Sequence, residues 1–144
     1  MTTVLGFDFG LKRIGVASGQ SITGTASPLP EIPARDGIPD WNVIARLIDE
    51  WQPARVLVGE PSNMDGTDSD MARRARKFAN RIHGRFGVPI VLVDERLTSF
   101  EAKQLVKDRY GHQDFGQYAV DSIAAVLIIE HWFASTDSPL QKSE

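Results

Sequence analysis

Val4-Leu5-Gly6-Phe7-Asp8-Phe9-Gly10-Leu11-Lys12-Arg13-Ile14-Gly15-Val16-Ala17 is an apolar run, a polar turn and a second apolar run. In an extended chain Val4, Gly6 and Asp8 fall on one side and Leu5, Phe7 and Phe9 on the other. Period-two placement bounded by Gly10 and Lys12 predicts a β-hairpin. The first strand is expected over 3–9 and the second over 14–19. Asp8 then stands near a strand end, where an ionised carboxylate is costly unless a cation meets it.

A third short strand is expected near 24–29, ending in Pro28-Leu29-Pro30-Glu31-Ile32-Pro33. Beyond it the period changes. Pro39-Asp40 signals a helix start with Asp40 as N-cap, and Ile44, Leu47, Ile48 and Trp51 follow at helical spacing. Gln52-Pro53 stops that helix, and Arg55-Val56-Leu57-Val58-Gly59 reads as a buried parallel strand. After a loop, Glu60 to Thr67, comes a helix over 68–86 with the stripe Ala75, Phe78, Ala79, Ile82 and Phe86, ended by Gly87. Pro89 to Val93 is the next strand and runs into Asp94-Glu95-Arg96. Thr98-Ser99-Phe100-Glu101 has the capping-box pattern of a third helix, closed by Gly111. A last helix is expected over 118–133. The order βββαβαβαα predicts an α/β domain over 1–136, with a flexible tail at 137–144. Its sheet would be five-stranded and mixed, an antiparallel meander followed by parallel strands, with helices on both faces. Ligands of such sheets gather beyond the carboxyl ends of the parallel strands, and Asp8 and Glu95 both belong to that rim.

The chain has 144 residues with 16 Lys+Arg against 19 Asp+Glu, a net charge of −3. Any phosphate contact must therefore come from a local patch. With no cysteine there is no disulfide, thiolate zinc site or cysteine nucleophile. No signal peptide is visible, and the apolar run from Ile123 to Ile129 is too short to span a bilayer, so a cytoplasmic protein is expected.

Asp8, Glu95 and Asp121 each have an ordinary explanation when taken singly: a turn cap, a salt-bridged turn after a strand, and an acid in a first helical turn. Together they read differently. Ala124 and Ala125 follow Asp121 at i+3 and i+4 and let that helix face approach the sheet closely. Carboxylates gathered on one rim resist ionisation unless a divalent cation neutralises them. Oxygen ligation without His or Cys suits Mg²⁺ or Mn²⁺. Two such ions about 4 Å apart can promote hydrolysis of a phosphodiester.

Asp8-x-Gly10-x-x-Arg13-Ile14-Gly15, the Gly59…Gly66 loop, Asp94-Glu95-Arg96-x-Thr98 and Asp121-x-x-Ala124 resemble the YqgF/RuvX family, of ribonuclease H-like fold. The resemblance spans nearly the whole chain. It implies that Asp8, Glu95 and Asp121 are an acidic catalytic and metal-binding triad. It also implies a Holliday-junction resolvase or a nuclease maturing the 5′ end of 16S ribosomal RNA. One motif departs: the family loop usually reads Gly-Leu-Pro-Leu-Asn-Met-Asp-Gly, whereas Glu60 and Ser62 stand here in place of apolar residues.

The expected substrate contacts are Lys12, Arg13, Arg96 and Thr98 beside the acids, and Arg73, Arg74, Lys77 and Arg81 on the second helix, where only Asp70 is a nearby acid. Arg13 is open between clamping a phosphate and pairing with Glu95. The three histidines read as surface or packing residues, Trp41 and Trp51 as core, and no aromatic cluster suggests a stacking platform. The leading expectation is a divalent-metal-dependent endonuclease acting on structured RNA, pre-16S ribosomal RNA above all. It would be a monomer or weak homodimer with no membrane partner. The alternatives are a resolvase of branched DNA and a non-catalytic RNA-binding module. An actin-like ATPase is excluded because 144 residues supply one Asp-x-Gly hairpin and no second phosphate loop. A P-loop is excluded because the Gly59…Gly66 loop lacks Gly-Lys-Ser/Thr.

Overall fold

The computed structural model describes residues 2–61, 69–94 and 120–136. The opening hairpin is formed as its pattern requires. β1 (Thr3–Asp8) and β2 (Arg13–Gln20) pair antiparallel from Thr3↔Gln20 to Asp8↔Gly15. Gly10 is demanded by the turn, because a Cβ there would overlap the Arg13 carbonyl oxygen.

β3 (Thr25–Arg35) is much longer than expected and runs straight through Pro28, Pro30 and Pro33. A proline removes one ladder donor, which an edge strand tolerates. β3 has β2 on one side, whereas β4 (Ile38–Pro39) covers only Ala34 and Arg35 on the other. β4 is itself an addition to the five expected strands. It forms because Asp36 (φ 52°) and Gly37 (φ 81°) both take left-handed backbone, the geometry of a two-residue hairpin turn. The sheet thus has six strands in the order β4-β3-β2-β1-β5-β6.

α1 (Trp41–Trp51) starts where expected: the Asp40 side chain accepts from the Asn42 N–H at 2.9 Å. It ends at Gln52 in left-handed backbone (φ 46°), just before Pro53. β5 (Arg55–Glu60) lies parallel to β1, and β6 (Ile90–Asp94) parallel to β5. Between them α2 (Asp70–Phe86) is capped by Ser69 and closed by Gly87 at φ 71°. The last helix, α3, covers Val120–Thr136. The expected third helix and the tail at 137–144 lie outside the described residues.

Two cores flank the sheet. Leu5, Phe7 and Phe9 pack with Ile44 of α1 and with Ala75, Phe78 and Ile82 of α2. Phe7 and Phe78 meet edge-to-face at 5.7 Å. On the other face Val4, Ala17, Leu57 and Val93 pack with Ala125, Val126, Ile128 and Ile129 of α3. The alternation of β1 is thereby confirmed, and it assigns Asp8 to the α3 face.

α3 can lie low because two strand positions under it carry no side chain. A Cβ on Gly6 would fall 2.7 Å from Ile129 Cγ1 and 3.3 Å from the Ala125 carbonyl oxygen, and one on Gly19 would fall 2.6 Å from Ile129 Cγ2. Ile129 therefore fills the notch the glycines leave. Gly6→Val is expected to lift α3 and cost about 2 kcal/mol, the usual scale of overpacking a core. Urea unfolding should show this as a lower midpoint at an unchanged slope.

Candidate nucleic-acid hydrolysis site

The parallel strands end together. Asp8 closes β1, Glu60 closes β5 and Asp94 closes β6, with Glu60 and Asp94 directly paired in register. Asp8 is half-buried on the α3 face, the position its alternation in the sequence predicted.

A buried hydrogen bond brings the start of α3 to the same place. The Val16 N–H donates to Ser122 Oγ at 3.1 Å, and Val16 is the partner of Phe7, one residue before Asp8. The backbone of Asp121, the residue before Ser122, is thereby fixed over the β1–β2 hairpin. Of the two small residues expected to pack on the sheet, Ala125 is fully buried against it, whereas Ala124 is half-buried.

Sequence reasoning assigned no role to Ser122, and it missed a further acid. β2 and β3 slip register between Ile14↔Ile32 and Val16↔Leu29, so Gly15 stands opposite both Pro30 and Glu31. Leu29 and Ile32 both face the α1 and α2 side, which turns Glu31 to the side of Asp8, with side-chain-free Gly15 between them. Among the described residues, Glu31 Oε2 is buried without a hydrogen-bond partner. A bulge opposite a glycine is invisible in a proline-broken stretch, so no sequence signal could have found it.

The acids the sequence brings to this edge offer oxygen donors only, the ligand type that a hard divalent cation takes. Among the described residues no group of three His, Cys, Asp or Glu side chains stands close enough to hold a metal. Glu95, Arg96 and Thr98 lie outside the described residues, and Asp121 is located by its backbone.

The cations divide. Lys12 and Arg13 are exposed at the mouth of the hairpin beside Asp8. Arg73, Arg74, Lys77 and Arg81 ride on α2, which packs on the opposite face of the sheet from Asp8. The expectation that Asp70 is the only acid near these cations needs correction. Asp70 does pair with Arg73 (3.4 Å) and Arg74 (3.1 Å), but Asp36 also reaches Arg74 at 3.3 Å and Glu60 reaches Arg76 at 2.8 Å. Both extra acids come from β-strand ends or turns distant in sequence. Glu60, the departure from the family loop, is thus engaged in tying α2 to the end of β5.

The sequence model of the RuvX family, described as a Holliday junction resolvase, matches residues 2–135. The chain belongs to the RuvX family. It is 64% identical over 132 residues to the "Putative pre-16S rRNA nuclease" of Hahella chejuensis, covering 92% of this chain and 84% of that relative. It is 57% identical over 131 residues to the protein of the same name in Escherichia coli K12, covering 91% of this chain and 95% of that one. Among solved structures it is similar to Thermus thermophilus RuvC in complex with a Holliday junction substrate. There the TM-score is 0.57 at 14% identity, over 96% of this chain and 97% of the other. The fowlpox virus Holliday junction resolvase is similar with a TM-score of 0.60 at 14% identity, over 94% of this chain and 99% of that one. The fold of this RuvX-family chain is accordingly the ribonuclease H-like fold of the resolvases.

Because Ser122 both caps a buried donor and seats Asp121, Ser122→Ala should cost about 1–3 kcal/mol by stranding the Val16 N–H. Ser122→Thr, which keeps the hydroxyl, should recover part of that loss in the same urea titration.

Proposed function

We propose that this chain is a divalent-metal-dependent endonuclease that hydrolyses phosphodiesters in structured RNA, processing the 5′ end of pre-16S ribosomal RNA. The observation that carries this reading is the convergence of Asp8 and the first turn of α3 at the carboxyl edge of the parallel strands, held by the Ser122–Val16 hydrogen bond. Relatives named as pre-16S rRNA nucleases at 57–64% identity favour RNA over branched DNA, since the junction-binding structures stand at 14%.

Asp8, Glu95 and Asp121 are the residues that would hold Mg²⁺ or Mn²⁺. A cation bound there would supply Lewis-acid stabilisation of the phosphorane charge and a more acidic water. The chain's own groups have separable tasks. Asp8, fixed at a strand end, places one carboxylate without conformational search, which is where preorganisation gains most. Lys12 and Arg13, exposed beside it, attract and orient the phosphate backbone. Arg96 and Thr98 follow Glu95 directly and are assigned to the same backbone. No serine, threonine or histidine stands paired with a base next to Asp8 among the described residues, so hydrolysis is assigned to direct attack by water. The protein acts in the cytoplasm, where pre-ribosomal RNA of bacteria is found, and as a monomer or weak dimer.

Wild type and Asp8→Asn should be incubated with a pre-16S fragment and with a four-way DNA junction, in Mg²⁺, Mn²⁺ or EDTA. The expected result is cutting of the RNA alone, abolished by EDTA and lowered roughly 100- to 1,000-fold in Asp8→Asn, on the scale of removing a group acting directly on the transition state. Paired nicks in the junction would assign a resolvase instead. RNA bound but uncut by wild type would leave a binding module.

A further inference from the structure

On the face of the sheet opposite Asp8 lies an open cleft of about 360 Å³ between α2 and the β3–β4 turn. Its walls are of two kinds. Arg74, Lys77 and Arg81 form a cationic stripe at i, i+3 and i+7 along α2. Ile38, 52% exposed, and Trp41 form an apolar wall facing it. Trp41 is held in place by Phe78, at 6.1 Å and 24° between rings, and by the Arg85 guanidinium, 4.4 Å from its ring centroid. Arg74 is paired with Asp36 and Asp70, whereas Lys77 and Arg81 are exposed and form no ion pair among the described residues.

The cleft is physically joined to the Asp8 hairpin. Phe9, the residue after Asp8, contributes to its lining. The Asp36-Gly37 turn at its edge is bonded to the hairpin loop: the Gly37 N–H donates to the Leu11 carbonyl at 2.9 Å and the Ala34 N–H to the Lys12 carbonyl at 2.8 Å. A strand leaving Asp8 over Lys12 would cross this turn and descend between Lys77 and Ile38. We propose that the cleft receives one unpaired nucleotide of the RNA, with its two flanking phosphates on Lys77 and Arg81 and its base against Ile38 and Trp41. This assignment rests on the nuclease reading for the identity of its ligand. A duplex does not fit: the cleft holds about one nucleotide, and apolar surface beside cations matches a base with its face exposed. Asp36 is then a built-in competitor at the edge of the cleft, because it already occupies Arg74, the third cation of the lining.

The test is binding, read by fluorescence anisotropy in EDTA so that nothing is cut. Its probes are a labelled RNA hairpin with a 12-nucleotide unpaired tail and the same hairpin without it. Wild type should bind the tailed RNA roughly tenfold more tightly than the blunt one. Lys77→Gln/Arg81→Gln should lose that gain while holding the blunt hairpin unchanged, and its log–log salt slope on tailed RNA should fall by about 1.4, at roughly 0.7 per single-strand phosphate released. Asp36→Asn keeps a residue type that tolerates left-handed backbone and leaves Arg74 paired with Asp70 alone among the described residues, so it should tighten tail binding about threefold. Absence of a tail effect in wild type overturns the proposal, as does equal weakening of tailed and blunt RNA in the double variant. Cleavage is scored separately in Mg²⁺: a tail effect without cutting sinks the nuclease reading alone, and cutting without a tail effect sinks the cleft alone.

Discussion

How closely α3 can approach β1 and β2 decides where the start of that helix lies relative to Asp8. Gly6 and Gly19 leave the sheet bare where Ile129 seats, and the Ser122–Val16 hydrogen bond closes the gap at the helix start. A side chain of even one carbon on Gly6 would press on both Ile129 and the Ala125 carbonyl. Glycine is a poor strand former, so its presence in two adjacent strands, at Gly6 opposite Ala17 and at Gly19 opposite Val4, trades sheet stability for proximity. What that proximity delivers is the backbone of Asp121 at the end of the strand that carries Asp8.

The two faces of the sheet divide the work. On the α3 side stand Asp8 and Glu31, with acids predominating and no side chain on Gly15 to separate them. On the α1 and α2 side the cations collect, and three acids engage some of them: Asp36 and Asp70 on Arg74, and Glu60 on Arg76. The exposed pairs on Arg74 contribute little stability individually, whereas the Glu60–Arg76 pair is partly buried. Their effect is to leave a defined residue of positive charge, at Lys77 and Arg81, on a chain whose total charge is −3.

The hairpin, both parallel strands, α1 with its Asp40 cap and α2 with its Gly87 stop were legible because each rests on local chemistry: alternation, capping, and glycine at positive φ. The length of β3 was not, because three prolines argue against a strand unless its outer edge is known to be free. β4 escaped for a related reason: Asp36-Gly37 is a strong turn signal, but two residues on its far side carry no readable pattern. At the site, Asp8 could be placed from period two alone. Glu31, Ser122 and the Glu60–Arg76 and Asp36–Arg74 pairs could not, since each depends on a contact between segments separated by 15 residues or more, or on a register slip.

α3 differs from the other helices in one respect that bears on how the molecule reaches its structure. From Ser122 to Ile129 every residue except Ala124 is buried, so hydrophobicity presents no preferred side to the sheet. Such a helix could dock in several rotational settings at similar apolar gain, and each residue of slippage turns it by about 100°. Greasy surface alone would leave the helix an axle free to turn. The hydroxyl of Ser122 acts as its key, since only one angular setting presents that oxygen to the unpaired Val16 N–H. The chain thus commits a single polar atom, inside an otherwise apolar segment, to index the orientation on which the adjacent aspartate depends.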